Sequence, residues 1–243
     1  MNGILRCSRY AFGPNRLHYC GPDANREIGA YMEHDASDPG LQALLAAFRT
    51  MYPYLRLIAH ANGIRDPFDD RVVEAYWIGN GLLDAVENRP FFRHLAEGLD
   101  MKRKMDGRSF DLVAAKIGQG ALPHHSFHVL DIWKRTGRLD IAHTLESMEA
   151  CRISWGTVTA VDGPSIAVDS EPLTYAGGKL RLAPPAKKTV RRALESLSDI
   201  DALKPGDIIT MHWNVPCETI TPAQARALRA YTLRHIALAN LTI

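Results

Sequence analysis

Charge of one sign is missing from this chain. Its 243 residues carry 29 Lys and Arg against 27 Asp and Glu, a formal net charge of +2 at pH 7. A balance this even sets up no field toward a phosphate backbone or an anionic bilayer, so neither nucleic acid nor a membrane is expected as a partner. Long apolar runs are missing too. The longest, such as Leu44-Leu45-Ala46-Ala47-Phe48, fall far short of the roughly 20 residues a bilayer-spanning helix needs. The opening stretch MNGILRCSRY lacks the apolar core of a secretory signal. Cysteine is scarce and scattered: Cys7, Cys20, Cys151 and Cys217 form no C-x-x-C pair, which argues against a disulfide framework. Reduced thiols in the cytoplasm are the expectation. Internal repeats and low-complexity segments are also lacking.

What is there changes character near residue 150. Before it the apolar period is helical. Leu41, Leu44, Leu45, Phe48, Leu55 and Ile58 follow a 3.6-residue spacing, and Asp38-Pro39 ahead of them reads as an N-cap with proline at the first helical position. Further helices are predicted over 69–86, 90–105, 108–117 and 139–150. Gly79 and Gly81 weaken the middle of the first of these, marking either a close helix contact or a break. Residues 9–27, rich in turn formers and aromatics, read as an ordered irregular segment ending at a helix capped by Asp23.

After Cys151 the period drops to two. Residues 152–161 alternate, Asp162-Gly163 signals a hairpin turn, and Ile166-Ala167-Val168 returns as the partner strand. Leu180-Arg181-Leu182 is a further strand. Ala183 to Lys204 reads as a polar insertion with a helical turn around 189–197. Lys204-Pro205-Gly206-Asp207 is a turn launching the strand IITMHW. Thr221-Pro222-Ala223-Gln224 carries a capping box with proline at N1, opening a last helix that runs to about Asn240. The expected fold class is α+β. A helical domain over 1–150 precedes a small β-barrel with a C-terminal helix over 151–243.

The C-terminal half has a specific pattern. Cys151 is followed five residues later by Gly156, then by Val158-Thr159-Ala160-Val161-Asp162-Gly163. Sixty residues on, Gly206-Asp207 precedes His212 in a G-D-x-x-x-x-H strand. This order and spacing resembles the HypC/HupF family, small chaperones of [NiFe]-hydrogenase maturation. The resemblance covers roughly 151–240. Unlike that family, this chain has about 150 residues ahead of the cysteine and Trp155 in place of the usual proline before the glycine. It implies an OB-type barrel, and it implies that Cys151 and His212 together hold an iron bearing cyanide and carbonyl ligands. The implied partners are a maturation scaffold and the hydrogenase large subunit, and the implied role is that of a carrier rather than an enzyme. A thiolate and an imidazole suit such an iron. Cys217, five residues after His212, is an additional candidate thiol, with core packing as the plainer reading.

The helical half has its own cluster, ALPHHSFHVLDIW over 121–133. On a helix, His124 and His128 fall on one face within reach of one metal, while His125 points elsewhere and is a further candidate, since three histidines within five residues could ligate a metal or haem with help from another segment. The alternative function is therefore a metal- or haem-binding protein or enzyme built on His124 and His128, with Glu74 or Cys20 as a converging ligand. Cys20 is a candidate in its own right, since a thiol near a helix N-terminus can be reactive. Ser126 beside His125 has no third partner from which to argue a nucleophile.

Overall fold

The computed structural model describes residues 2–133, 143–192, 200 and 202–243. The fold is α+β: among the described residues, the elements up to Cys151 are helical, and those after it are an antiparallel sheet, a two-stranded ribbon and one long helix. No described helix is long and apolar enough to cross a membrane.

The first helix, α1, runs Gly3–Arg16, where an irregular segment is expected from residue 9 onward. Asn2 caps it, accepting from the amides of Ile4 (2.9 Å) and Leu5 (3.4 Å). Gly13 within it is no turn glycine. A Cβ there would lie 2.6 Å from the carbonyl oxygen of His212, so the glycine lets a strand end press against the helix. Asp38 caps Pro39–Ala46 as its sequence predicts. The apolar period over 41–61 is split between that helix and Met51–Ala61. The stretch 69–86 breaks after Trp77. Gly79 sits there at φ +98°, and the Tyr231 ring would stand 2.0 Å from any Cβ added to it. Both readings of that glycine hold: it is a break and a close contact. Residues 90–105 are likewise broken, into Asn88–Arg93, a wide π-type turn His94–Gly98, and Met101–Lys104. Gly107–Ala115 and Leu145–Cys151 stand near their expected places, and residues 139–142 lie outside the described residues.

The strands are β1 (Ser154–Asp162), β2 (Ser165–Ser170), β3 (Leu173–Ala176), β4 (Lys179–Leu182), β5 (Ala186–Arg191), β6 (Ile208–His212) and β7 (Val215–Ile220). The five-stranded sheet has the order β5-β2-β1-β6-β7, and β3-β4 is a separate ribbon. Among the described residues no pairing joins β5 to β7, so the sheet is open where a closed OB-like barrel is expected. The helical turn expected around 189–197 is also replaced: 186–191 pairs with β2 as β5, and 193–197 lie outside the described residues. β1 and β2 meet at the expected turn, with Asp162 opposite Ser165. Pro205-Gly206 turns the chain into β6, with Gly206 at φ +98° and Asp207 N donating to Lys204 O. The C-terminal helix Pro222–Ala239 has the full Thr221/Gln224 capping box.

One apolar core runs through both halves, taking in Tyr10, Phe12 and Trp77 from the helices and Val158, Ile209 and Leu228 from the C-terminal part. Polar ties cross the same boundary. Buried Arg6 on α1 donates to Glu218 on β7 (2.9 Å) and also meets Glu74 (3.0 Å), and the Tyr10 hydroxyl donates to Glu218 (2.6 Å). The expected division at residue 150 is thus a change in element type, with a shared interior on either side of it.

Candidate metal centre

Three elements deliver three side chains to one point. Cys151 is the last residue of the helix Leu145–Cys151, capped by Thr144. His125 opens the short helix His125–Phe127, which widens into a π-type turn over His128–Trp133. His212 ends β6. Their ligating atoms all lie within 4.8 Å of one another, with Cys151 Sγ and His125 Nε2 4.0 Å apart. All three are buried. Cys151 is only 8% exposed and faces a cavity of about 840 Å³. Cys20, Tyr76, His128 and Trp213 share the cavity wall with them.

The proton positions follow from the partners. His212 Nδ1 lies 2.6 Å from the Tyr10 carbonyl, which can only accept, so Nδ1 carries the hydrogen and Nε2 keeps its lone pair. That Nε2 is buried and has no hydrogen-bond partner. His125 stands in the opposite tautomer. Its Nε2–H donates to the Cys151 carbonyl (2.9 Å), leaving Nδ1 to accept from the Tyr76 hydroxyl (3.1 Å). Burial lowers the pKa of His212 to about 4. Burial, then the neighbouring His212, lowers His125 well below the usual range. Both rings are neutral at pH 7. Burial pushes the Cys151 thiol well up, Cys20 adds to the shift, and the Trp213 indole opposes it.

Trp77 packs against both imidazoles, its ring centroid 4.6 Å from His125 and 5.6 Å from His212. Trp213 occupies the β6–β7 turn at φ +51°, a backbone position unfavourable for a bulky residue. Its ring stacks on Tyr19 at 4.2 Å and its amide donates to the Ala150 carbonyl (2.7 Å), which hold it beside Cys151.

The histidine face expected in the helical half is redistributed. His124 is the cap of its helix rather than a member of it. Its Nδ1 accepts from the Ser126 amide (3.1 Å) and the Ser126 hydroxyl (2.7 Å). That hydroxyl in turn accepts from His235 Nδ1 (2.7 Å), because His235 Nε2 is taken by the Leu122 amide (3.3 Å). This closed chain gives His124 and Ser126 structural roles. His128 lies instead near Tyr54, ring centroids 6.0 Å apart, with its Nδ1 buried and without a hydrogen-bond partner. Among the described residues no cluster of three ligand groups contains His124 or His128. His125, expected to point elsewhere, is the one that joins Cys151 and His212. Histidine is not among the preferred cap residues, so no local signal marked His124 as the cap. Glu74 is committed to Arg6 and Gln224. Cys217 is fully buried in β7, its thiol 3.6 Å from the Val215 carbonyl, away from the cavity.

A family model for a family of unknown function, DUF6390, matches residues 1–243. The chain belongs to the DUF6390 family. No curated protein and no solved structure matches it. The family match spans both halves of this DUF6390 protein, as its shared core does.

Proposed function

We propose that this DUF6390 protein is a cytoplasmic metal carrier of [NiFe]-hydrogenase maturation, with an iron cyanide/carbonyl unit as cargo and the large subunit or a maturation scaffold as partner. It acts as a carrier or chaperone rather than as an enzyme. The observation that carries the reading is the meeting of Cys151 and His212 in one cavity, with the His212 Nε2 lone pair preset and unpartnered. The kinship with the HypC/HupF barrel rests on the order of elements (cysteine, hairpin, Gly-Asp strand, helix) and not on closure of the sheet.

The donor set fits a soft or borderline metal. A tetrahedral site with ordinary metal–sulfur and metal–nitrogen bonds separates its ligand atoms by about 3.6 Å. Separations of 4.0 to 4.8 Å require contractions of about 0.4 to 1.2 Å. The cavity is far larger than a bare ion needs, since one water claims about 30 Å³ in the liquid. That leaves room for a metal that arrives with ligands of its own. His125 enters the set only if its Nε2 gives up the Cys151 carbonyl and Tyr76 turns from donor to acceptor. Tyr76 would then hold the imidazole as second-shell partners hold metal-bound histidines.

The test is infrared spectroscopy of the anaerobically purified chain, made in a host expressing hydrogenase maturation proteins. Cyanide and carbonyl stretching bands are expected in the wild type and absent from Cys151→Ala. A folded wild-type chain without bands, the partners being present, would sink the iron-cargo reading.

A further inference from the structure

The cavity holds more ligand chemistry than the Cys151, His125 and His212 set uses. Cys20 lies on the same wall, on the loop joining α1 to the helix Asn25–Glu33. It is half-buried, whereas Cys7, Cys151 and Cys217 are buried. The loop is held in place. Asn15 Nδ2 donates to the Cys20 carbonyl (2.9 Å) and to the Pro22 carbonyl (2.6 Å). Gly21 stands at φ +87°, with the Phe48 ring 2.4 Å from where a Cβ would be. Tyr19 stacks on Trp213, the residue after His212. Cys20 thus lines the cavity that also holds Cys151 and the unpartnered Nε2 of His212, although it is not one of the three groups whose ligating atoms lie within 4.8 Å of one another. Cys20 also interacts electrostatically with both Cys151 and Tyr76.

We infer that Cys20 is a fourth ligand of this centre, the thiolate through which a soft metal enters and leaves. This rests on the carrier reading above. A bare four-coordinate ion held by the other three has one position open for Cys20, whereas on a metal that brings ligands of its own Cys20 is an entry ligand, released as Cys151, His125 and His212 bind. The step is a ligand substitution without redox change. The Cys20 thiol passes its proton to solvent, the sulfur–metal bond forms, and the bond to the delivering molecule's ligand breaks. Cys151 then binds as it loses its proton to solvent, His125 after its hydrogen moves from Nε2 to Nδ1, and His212 through its bare Nε2, each displacing a remaining exchangeable ligand from the metal, and release runs in reverse.

Cobalt(II) alone, added anaerobically to the reduced full chain, is the probe. Wild type is expected to show sulfur-to-cobalt charge transfer of two-thiolate strength. Cys20→Ser is expected to keep the metal with about half that intensity and to pass it to a competing chelator on the order of tenfold more slowly. Bound cobalt is expected to protect Cys20 of the wild type from iodoacetamide, read by mass spectrometry, which needs no variant to fold. An unchanged spectrum and rate in Cys20→Ser, or equal alkylation of Cys20 with and without cobalt, would overturn the role of Cys20 and leave the carrier reading standing. No cobalt binding by folded wild type would overturn both.

Discussion

His212 shows how much one carbonyl can decide. By accepting from Nδ1, the Tyr10 carbonyl leaves Nε2 as a bare donor atom in an apolar wall. Replacing His212 with alanine removes that atom, and cobalt affinity is expected to fall at least tenfold, measured by competition with a chelator. Tyr76→Phe is expected to cost 10- to 100-fold, the usual range for a second-shell partner, because His125 Nδ1–H would lose its acceptor. The thiol of Cys151 is protonated at neutral pH, so binding must expel a proton, and apparent affinity is expected to rise with pH by up to about tenfold per unit. Stability has its own pH dependence. His94 and His212 are lowered by burial to about 4, and His124 and His128 to about 3. The unfolded chain binds protons near pH 6.5 that the folded chain refuses, so stability is full above about 6.5 and is lost as pH falls toward the folded values. Each such histidine contributes a slope of about 1.4 kcal/mol per pH unit within that window. Urea unfolding at pH 7 and pH 5 is expected to give a clearly lower midpoint at pH 5.

At the scale of elements, two contacts hold the helices to the later chain. Gly79 allows the Tyr231 ring of the C-terminal helix to lie against the end of Asp70–Trp77. Gly79→Ala adds both a clash and an unfavourable positive φ, and is expected to cost about 2–4 kcal/mol in urea unfolding. Arg6 joins α1 to β7 through Glu218, whose carboxyl is raised by burial against the opposing pull of Arg6 and Tyr10. Arg6→Met would strand that carboxylate, and a loss of about 3–5 kcal/mol is expected. Pairing the change with Glu218→Gln should recover much of it. Helix starts of this kind were legible in the sequence. Asp38-Pro39 and the Thr221/Gln224 box are local hydrogen-bonding devices, and they stand where their residues predict. The helix over 9–16 was not legible, because Gly13 and Pro14 read as turn formers. Gly13 is instead a clearance for His212, at the far end of the chain and beyond the span any local rule addresses.

For the whole molecule, the shared core predicts that neither half is a folding unit. Phe12, Trp77, Val158 and Leu228 belong to one buried cluster, and the ligands of the candidate centre come from both sides of residue 150. Fragments 1–150 and 151–243 made separately are expected to lack a cooperative thermal transition by circular dichroism, and to regain one only when produced together. A sharp transition in fragment 151–243 alone would contradict the shared core.

The sequence by itself determined the change of element type near residue 150, the capped helix starts at Asp38 and Thr221, and the turns at Asp162-Gly163 and Pro205-Gly206. Each of these depends on residues near one another in the chain or on a pattern of fixed spacing. The tertiary structure alone decided that the sheet stays open, that His125 rather than His124 or His128 completes the cluster, and that Cys20 shares its cavity. Those outcomes depend on which face of a short, capped helix meets a strand end and on how a loop packs across it, and such contacts between distant segments have no local signature.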